Sequence, residues 1–432
     1  METLPNIRHL SALYAVMQMG SFSAAARFVH LTQPAVTQAV ARLEVRFGSR
    51  LFTRTRQGVE LTAAGRVCAP RIGRAFDRLG EGLRGFTGVS SAETPLLRRI
   101  TSVQLEALTA ILDAGSFSAA ARAAGRSRAT YFRAARALEA RLGARLFEPT
   151  SHGIRPTREA GNLVRQVMLA KAELAQARAE IAALHGSDRG STVIGAMPLA
   201  RSAVLPAAIL RFAALQPLHS VAILDAPYDT LLAALRSGRA DVLIGALRGL
   251  TDGDLLEEHL FDDPLAIIAR PQHPLAATRR ARVPVSLSEL RRYPWIAPRR
   301  DSPLRRQFER LFEASPAPSV APIECSSLET ERAILVSSDR LMLLSAQQVH
   351  AELLSGQLIA LRHPLGRVTR AIGLTLRREW HPTATQCQLI DALRQQAQRI
   401  GLSAAPSPRS PVRRGRGTRA ATSSSGGFTA AP

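Results

Sequence analysis

The eight residues Gly20-Ser21-Phe22-Ser23-Ala24-Ala25-Ala26-Arg27 recur unchanged as Gly115-Ser116-Phe117-Ser118-Ala119-Ala120-Ala121-Arg122. No other feature of the 432-residue chain restricts its fold so strongly. Between 20–62 and 115–157 the offset stays at 95 without a gap, and 19 of 43 positions are identical. That offset is too long for a solenoid period, and two copies do not make an array. The pattern reads as duplication of one small domain.

Each copy predicts the same elements. Ile7, Leu10, Leu13, Val16 and Met17 share one helix face, as do Leu105, Leu108, Ile111 and Leu112. Gly20 and Gly115 end these helices, because glycine accepts the left-handed conformation without a Cβ clash. Ser21 or Ser23, and Ser116 or Ser118, can cap a second helix. A third begins at Thr32 or Ser127, with Pro34 in its first turn, where a missing N–H costs nothing. Val36, Val40 and Leu43 should face inward, leaving Gln33, Thr37 and Gln38 outside. Two short β-like runs flank Gln57-Gly58 and read as a hairpin. Helix, helix, turn, helix, hairpin is a winged helix-turn-helix; its third helix enters the major groove and its wing touches the backbone. The DNA-contact candidates of copy one are Thr32, Gln33, Pro34, Ala35, Thr37, Gln38, Arg42, Arg54 and Arg56. Glutamines can pair with adenine edges, and arginines with guanine or phosphate.

In copy two the inner residues Tyr131, Ala135 and Leu138 keep the frame, while the outer face changes. Arg128 stands where copy one has Gln33, Phe132 where it has Thr37, and Arg133 where it has Gln38. The candidates here are Ser127, Arg128, Thr130, Arg133 and Arg136. In the wing, Pro149 replaces Arg54, Ser151 replaces Arg56 and Pro156 replaces Leu61, so weaker hairpin pairing is expected; Arg155 restores one charge. Copy two either reads a different DNA sequence or has shifted to phosphate or protein contact, with Phe132 as the anchor in the last case. The arginines on and beside its third helix favour DNA.

The stretches Gly20 to Ala26, Thr32 to Gln38, Leu43-Glu44, Gly48, Leu51 to Arg54 and Leu61 to Gly65 together resemble the DNA-binding domain of LysR-type transcriptional regulators. Further on, Gly195, Leu205-Pro206, Phe212, Pro217, Leu232, Leu235, Gly238, Asp241, His273-Pro274-Leu275 and Gly373-Leu374 are similar to the effector domain of that family, which is itself similar to periplasmic binding proteins. Met197 to Arg201, Trp295 to Arg299 and Ser337 to Asp339 resemble most the branch that includes galactose-binding-protein and protocatechuate-pathway regulators. The resemblance implies a multidomain fold: two α-rich winged helix-turn-helix domains, then an α/β two-lobed periplasmic-binding-protein-like effector domain. The expected divisions are winged copies at 1–65 and 99–158, helix and linker at 66–98, a linker or dimerisation helix at 159–187, the effector domain at 190–400 and a disordered basic tail at 401–432. Expected partners are duplex DNA, a small effector (a sugar or an aromatic or other organic acid), and a second chain or three more in a homodimer or homotetramer. The same resemblance admits RNA polymerase.

Charge agrees with a polyanion partner. The formal net charge is +23, of which +13 falls within 1–187 and +5 within 401–432. Only Lys171 is a lysine, so arginine content by itself says little; the asymmetry says more. Cys68, Cys325 and Cys387 are far apart and odd in number, which argues for a reducing cytoplasm and against a disulfide framework or zinc site. No apolar run is long enough to span a bilayer, and no export signal is evident, which argues against a solute-binding transport protein. There is no glycine-rich phosphate loop after a strand, no metal-ligand spacing and no nucleophile elbow, so neither an enzyme nor a cofactor is expected.

Beyond the repeats, 63–83 and 159–184 read as helices. The second carries Val164, Val167, Met168, Lys171, Leu174, Ala175, Arg178, Ile181 and Ala182 near a heptad period, and Gly186 to Gly190 reads as a hinge. Gly85, Gly88 and Pro95 mark a linker. From 191, strand-like runs (191–196, 220–225, 241–246, 265–270, 341–345, 370–377) alternate with helices (205–215, 228–237, 303–313, 328–337), which predicts parallel sheets with helices on both faces. The lobes should cross over near 269–274 and 365–370. Ligands of such folds sit at the carboxyl ends of strands. The loops 197–202, 298–302 and 324–328 are therefore the candidates, with Met197, Pro198, Arg201, Ser202, Arg299, Ser302 and Ser327 as ligand-binding residues. Arg201 or Arg299 can clamp an acid.

Overall fold

Both repeats fold from local signals that the sequence already displays. In the computed structural model, residues 3–404 are described, apart from 57, 89–94, 152, 252, 277–283, 301, 314–319, 363–365 and 367. Helix α1 (Ile7–Met19) ends at Gly20 with φ 60°, and Ser21 caps α2 (Phe22–Phe28). Thr32 caps α3 (Gln33–Phe47), which buries Val36, Val40 and Leu43. Strands β1 (Phe52–Thr55) and β2 (Gly58–Leu61) form the wing, and α4 (Ala63–Thr87) follows. After α5 (Pro95–Arg99) the same order returns: α6 (Ser102–Ala114), α7 (Phe117–Ala123), α8 (Arg128–Leu142), β3 (Phe147–Thr150), β4 (Gly153–Pro156) and α9 (Arg158–Leu184). Even a detail recurs: the Glu44 carboxylate accepts from the Leu51 N–H and the Glu139 carboxylate from the Leu146 N–H, each at 2.8 Å.

Several expectations need correction. The second wing is not weakened: β3 and β4 pair over four positions in the register of β1 and β2. Thr150 and Gly153 flank the turn as a hydrogen-bonded pair, so alternation puts Pro149 opposite Ile154 and Pro156 opposite Phe147 at non-hydrogen-bonded sites. Neither missing N–H was needed. The first linker is shorter than predicted, since α4 runs through Gly85 and Pro95 opens α5. The segment read as a hinge is tied down: Asp188 accepts from the Gly190 N–H and from the Thr385 hydroxyl.

The stripe on α9 is largely buried within this chain, while Ala175 and Arg178 stay exposed. α9 lies antiparallel to α4: Gly85 meets Glu159 and Gly82 meets Leu163 and Gln166, while Arg71 bonds Gln176 and Glu180 further along. A Cβ at Gly82 would lie 3.0 Å from the Leu163 side chain, so glycine permits the close crossing. One apolar core continues from Leu10 and Leu13 through Ile72, Phe76 and Leu79 to Val167 and Leu174, and on to Leu105 and Leu108 of the second module.

The rest is a mixed sheet rather than a purely parallel one. Among the described residues its strands run β10-β9-β11-β8-β13-β7-β5-β6, with β12 beside β8. They are β5 (Ser191–Ala196), β6 (Ser220–Leu224), β7 (Val242–Ala246), β8 (Leu255–Ala269), β9 (Trp295–Ala297), β10 (Ile323–Glu324), β11 (Leu341–Ser345), β12 (Ile359–Leu361) and β13 (Thr369–Arg377). The helices are α10 (Leu205–Leu215), α11 (Tyr228–Arg236), α12 (Leu287–Leu290), α13 (Pro303–Arg310), α14 (Leu328–Ser337), α15 (His350–Ser355) and α16 (Ala384–Ala404). β8 pairs with β13 over 255–264 and with β11 and β12 over 265–269, so the first crossover lies inside this strand, before the predicted 269–274. The second lies at the start of β13, although Leu365 and Arg367 fall outside the described residues. α16 continues to Ala404, past the expected start of the tail; 405–432 are not described.

Candidate DNA interface and effector cavity

The third helices present their N-terminal halves to solvent. Thr32, Gln33, Pro34, Gln38 and Arg42 are exposed, and Ala35 and Thr37 are half-buried. The Thr32 hydroxyl accepts from the Ala35 N–H, and the Thr37 hydroxyl donates to the Gln33 carbonyl, so both serve the helix itself. Arg54 and Arg56 stand exposed on the wing. In copy two Ser127, Arg128, Arg133 and Arg136 are exposed and Thr130 is half-buried against the Ser127 hydroxyl. Arg136 is engaged: its guanidinium pairs with Glu139 at 2.7 Å and stacks 5.1 Å over Phe132. Phe132 is 44% exposed, with its other side edge-on to Phe117 at 5.7 Å. Arg155 pairs across the wing with Glu148.

Between the lobes lies a cavity of about 880 Å³. All seven residues proposed for ligand contact line it: Met197, Pro198, Arg201, Ser202, Arg299, Ser302 and Ser327. They converge because three strand-to-helix junctions open on the same cleft. Met197 leaves β5 just before a π-helical turn, Ala200–Val204; Ser302 caps α13; Ser327 caps α14. Helix starts carry unpaired N–H groups and a partial positive charge, which favours anions. Arg201 is paired with Asp225, and Ser327 donates to Glu329 at 3.0 Å. Asp301, within the second loop, is not described.

Sequence reading missed the cavity floor. Arg248, Glu331, Arg332, Gln348 and Arg370 also line it. Glu331 is buried, and its carboxyl is pushed up to about 7 by burial and then by the Glu329 charge. At the lobe junction Asp263, fully buried, accepts from the Ser345 hydroxyl at 2.6 Å and from Arg370 at 2.8 Å; Arg370 also donates to Gln348. No local signal announces these groups, because only the fold brings 263, 345 and 370 together. Cys325 also lines the cavity, Cys387 is exposed, and the buried Cys68 thiol is pushed up to about 12 by burial.

The family model of the bacterial regulatory helix-turn-helix protein, lysR family, matches residues 7–66 and 103–161, and that of the LysR substrate binding domain matches 185–398. The HTH-type transcriptional regulator GalR of Pseudomonas putida is 34% identical over 376 residues, which is 87% of this chain and 93% of that protein. The chain belongs to the LysR family. It is a DNA-binding transcription regulator that responds to a small-molecule effector, as LysR-family regulators are. PcaQ of Agrobacterium fabrum is 27% identical over 264 residues, 61% of this chain and 84% of that one. Among solved structures, a full-length OxyR variant from Pseudomonas aeruginosa shares the fold with a TM-score of 0.50 at 21% identity, covering 68% of this chain and 94% of that one. ArgP from Mycobacterium tuberculosis does so with a TM-score of 0.51 at 16% identity, covering 68% and 96%. Among the described residues of this LysR-family chain, no helix is long and apolar enough to cross a membrane.

Proposed function

We propose that both winged modules of this regulator, 1–65 and 99–158, dock on duplex DNA, and that the cavity within 190–400 takes an organic acid. The modules would descend from one duplicated ancestor, as their shared frame suggests. The observation that carries the DNA reading is the solvent-facing set of amide and cationic side chains at equivalent places on the two third helices. Arg54, Arg56, Arg128 and Arg133 make no ion pair or side-chain hydrogen bond with another described residue, so their charge is available to phosphate or base edges. Arg136, held by Glu139, contributes less than the sequence suggests. Phe132 is part of its own module's aromatic packing, which weighs against the reading of copy two as a protein-interaction module.

The acid reading rests on three helix or turn starts and on Arg201, Arg248, Arg299, Arg332 and Arg370 around one cleft, of which Arg201, Arg332 and Arg370 are paired with Asp225, Glu352 and Asp263. Binding there would draw the lobes together about β8 and β13 and alter how the winged modules meet promoter DNA. Replacing Gln33 and Arg42 together by alanine should abolish specific footprinting over the half-site under α3 without loss of helicity; an unchanged footprint there would refute copy one as a reader. A thermal-shift series with sugar acids, aromatic acids and neutral sugars tests the cavity: stabilisation by neutral sugars alone would refute the acid reading.

A further inference from the structure

The two modules are not beads on a string; their mutual contacts fit an internal two-fold relation. Positions 95 apart are equivalent, and Ile7 and Ser102 are such a pair: the Ile7 N–H donates to the Ser102 hydroxyl at 3.2 Å. Equivalent residues can touch each other only near the axis that exchanges them. The antiparallel α4–α9 crossing agrees. Exchange at the same offset turns the contact of Gly82 with Gln166 into one between Arg71 and Ala177, and Arg71 indeed bonds the adjacent Gln176 at 2.5 Å. The helix faces that hold this arrangement are covered by one another. Ile72, Phe76, Leu79 and Leu83 on α4 and Leu163, Val167, Leu174 and Ile181 on α9 are all in one buried core. The Lys171 ammonium pairs with Glu106, and the Glu106 carboxylate accepts from the Leu4 N–H, so copy one, copy two and α9 are bound at the same place.

From this geometry we propose that a single chain is a complete two-headed reader, whose α3 and α8 dock on two inverted half-sites of different sequence. A two-fold relation between recognition helices matches inverted half-sites on DNA. Two identical readers would require a palindrome, but here the reading positions differ. Gln33, Thr37, Gln38 and Arg42 of α3 face Arg128, Phe132, Arg133 and Ala137 at the same places on α8. α3 is equipped for adenine through its amides, and α8 for guanine or phosphate. The operator is therefore an inverted pair with unlike arms, and the frame fixes the direction in which the regulator sits on it. Assembly of further chains would add pairs of half-sites through other surfaces, since the α4–α9 faces are already filled. This inference rests on the proposal that copy two contacts DNA.

The test is selection from a pool of duplexes with a randomised central segment of about four helical turns, using the full chain. Three proteins are compared: the unaltered chain, the Gln33→Ala, Gln38→Ala variant and the Arg128→Ala, Arg133→Ala variant. The altered side chains are exposed, and circular dichroism melting of both variants checks that each keeps the fold. The expected motif has two inverted arms of different sequence. Each variant should lose about tenfold or more of its base preference in one arm only, a different arm for each. Light scattering of the complex should count one chain per pair of arms. A single arm that answers only to the Gln33 and Gln38 changes would overturn both the two-headed reader and the DNA role of copy two, while leaving copy one a reader. A symmetric palindrome with two chains per pair, or two arms in direct rather than inverted orientation, would overturn the two-fold reading alone.

Discussion

Replacing Glu331 by glutamine should make the effector domain more stable, and only above mildly acidic pH. Glu331 lies on α14, buried beside Leu335, which belongs to the same core as Trp295. Burial, then the Glu329 charge, raise its carboxyl from the ordinary 4.5 to about 7. A raised carboxyl means that the folded state holds a proton that the unfolded chain has released. Stability therefore falls as pH rises from about 4.5 to about 7, by roughly 1.4 kcal/mol per unit and about 3 kcal/mol in total. Below the lower value the group is neutral in both states and costs nothing. Glutamine is neutral throughout, so the two proteins should coincide near pH 4 and differ by about 3 kcal/mol by pH 8. Urea unfolding followed by tryptophan fluorescence is the assay, because Trp295 sits fully buried in the lobe concerned. Equal slopes of stability against pH for the two proteins would refute the reasoning, since they would show that Glu331 ionises in water. An acidic effector should respond to the same group: its affinity should drop above pH 7 in the unaltered protein and stay flatter in the variant.

Two further perturbations probe how the parts are joined. Arg71 is buried among Glu173, Gln176, Glu180 and the His381 carbonyl, so it links α4, α9 and the effector domain. Arg71→Met should cost about 3 kcal/mol, because it leaves Glu180 without its cation and Glu173 with Arg74 alone; urea unfolding followed by circular dichroism measures it, and a loss below about 1 kcal/mol would contradict a dry cluster. Asp263→Ala leaves Arg370 without its buried partner at the lobe junction, and a similar loss is expected in the fluorescence-detected transition, with a weaker thermal-shift response to acids.

Much of the fold was legible because its determinants are local. Caps at Ser21, Thr32, Ser116 and Ser127, the left-handed Gly20 and Gly115, and helical spacing each act within a few residues. The cleft loops were legible for a related reason: residues that follow a strand and start a helix must gather at one end of the sheet. What escaped was set by register and side-chain direction, which residue types alone do not show. Pro149 and Pro156 looked disruptive, but the hairpin register places them where no donor is needed. Arg136 was expected at the DNA, and the structure adds that its guanidinium pairs with Glu139 and stacks on Phe132.

The sequence by itself determined that two segments with one helix pattern, both matching the lysR-family helix-turn-helix model, precede an α/β domain, and that their third helices differ on the outer face. It could do so because repeats, caps and spacing are properties of neighbouring residues. The tertiary structure decided what the stripe on α9 packs against, where the lobes cross and which charges stand free. A helix face shows in sequence that it needs covering, but not by what. The choice of α4 as its cover depends on the antiparallel fit of Gly82 on Leu163 and of Arg71 on Glu180, contacts between residues about 80 to 110 positions apart.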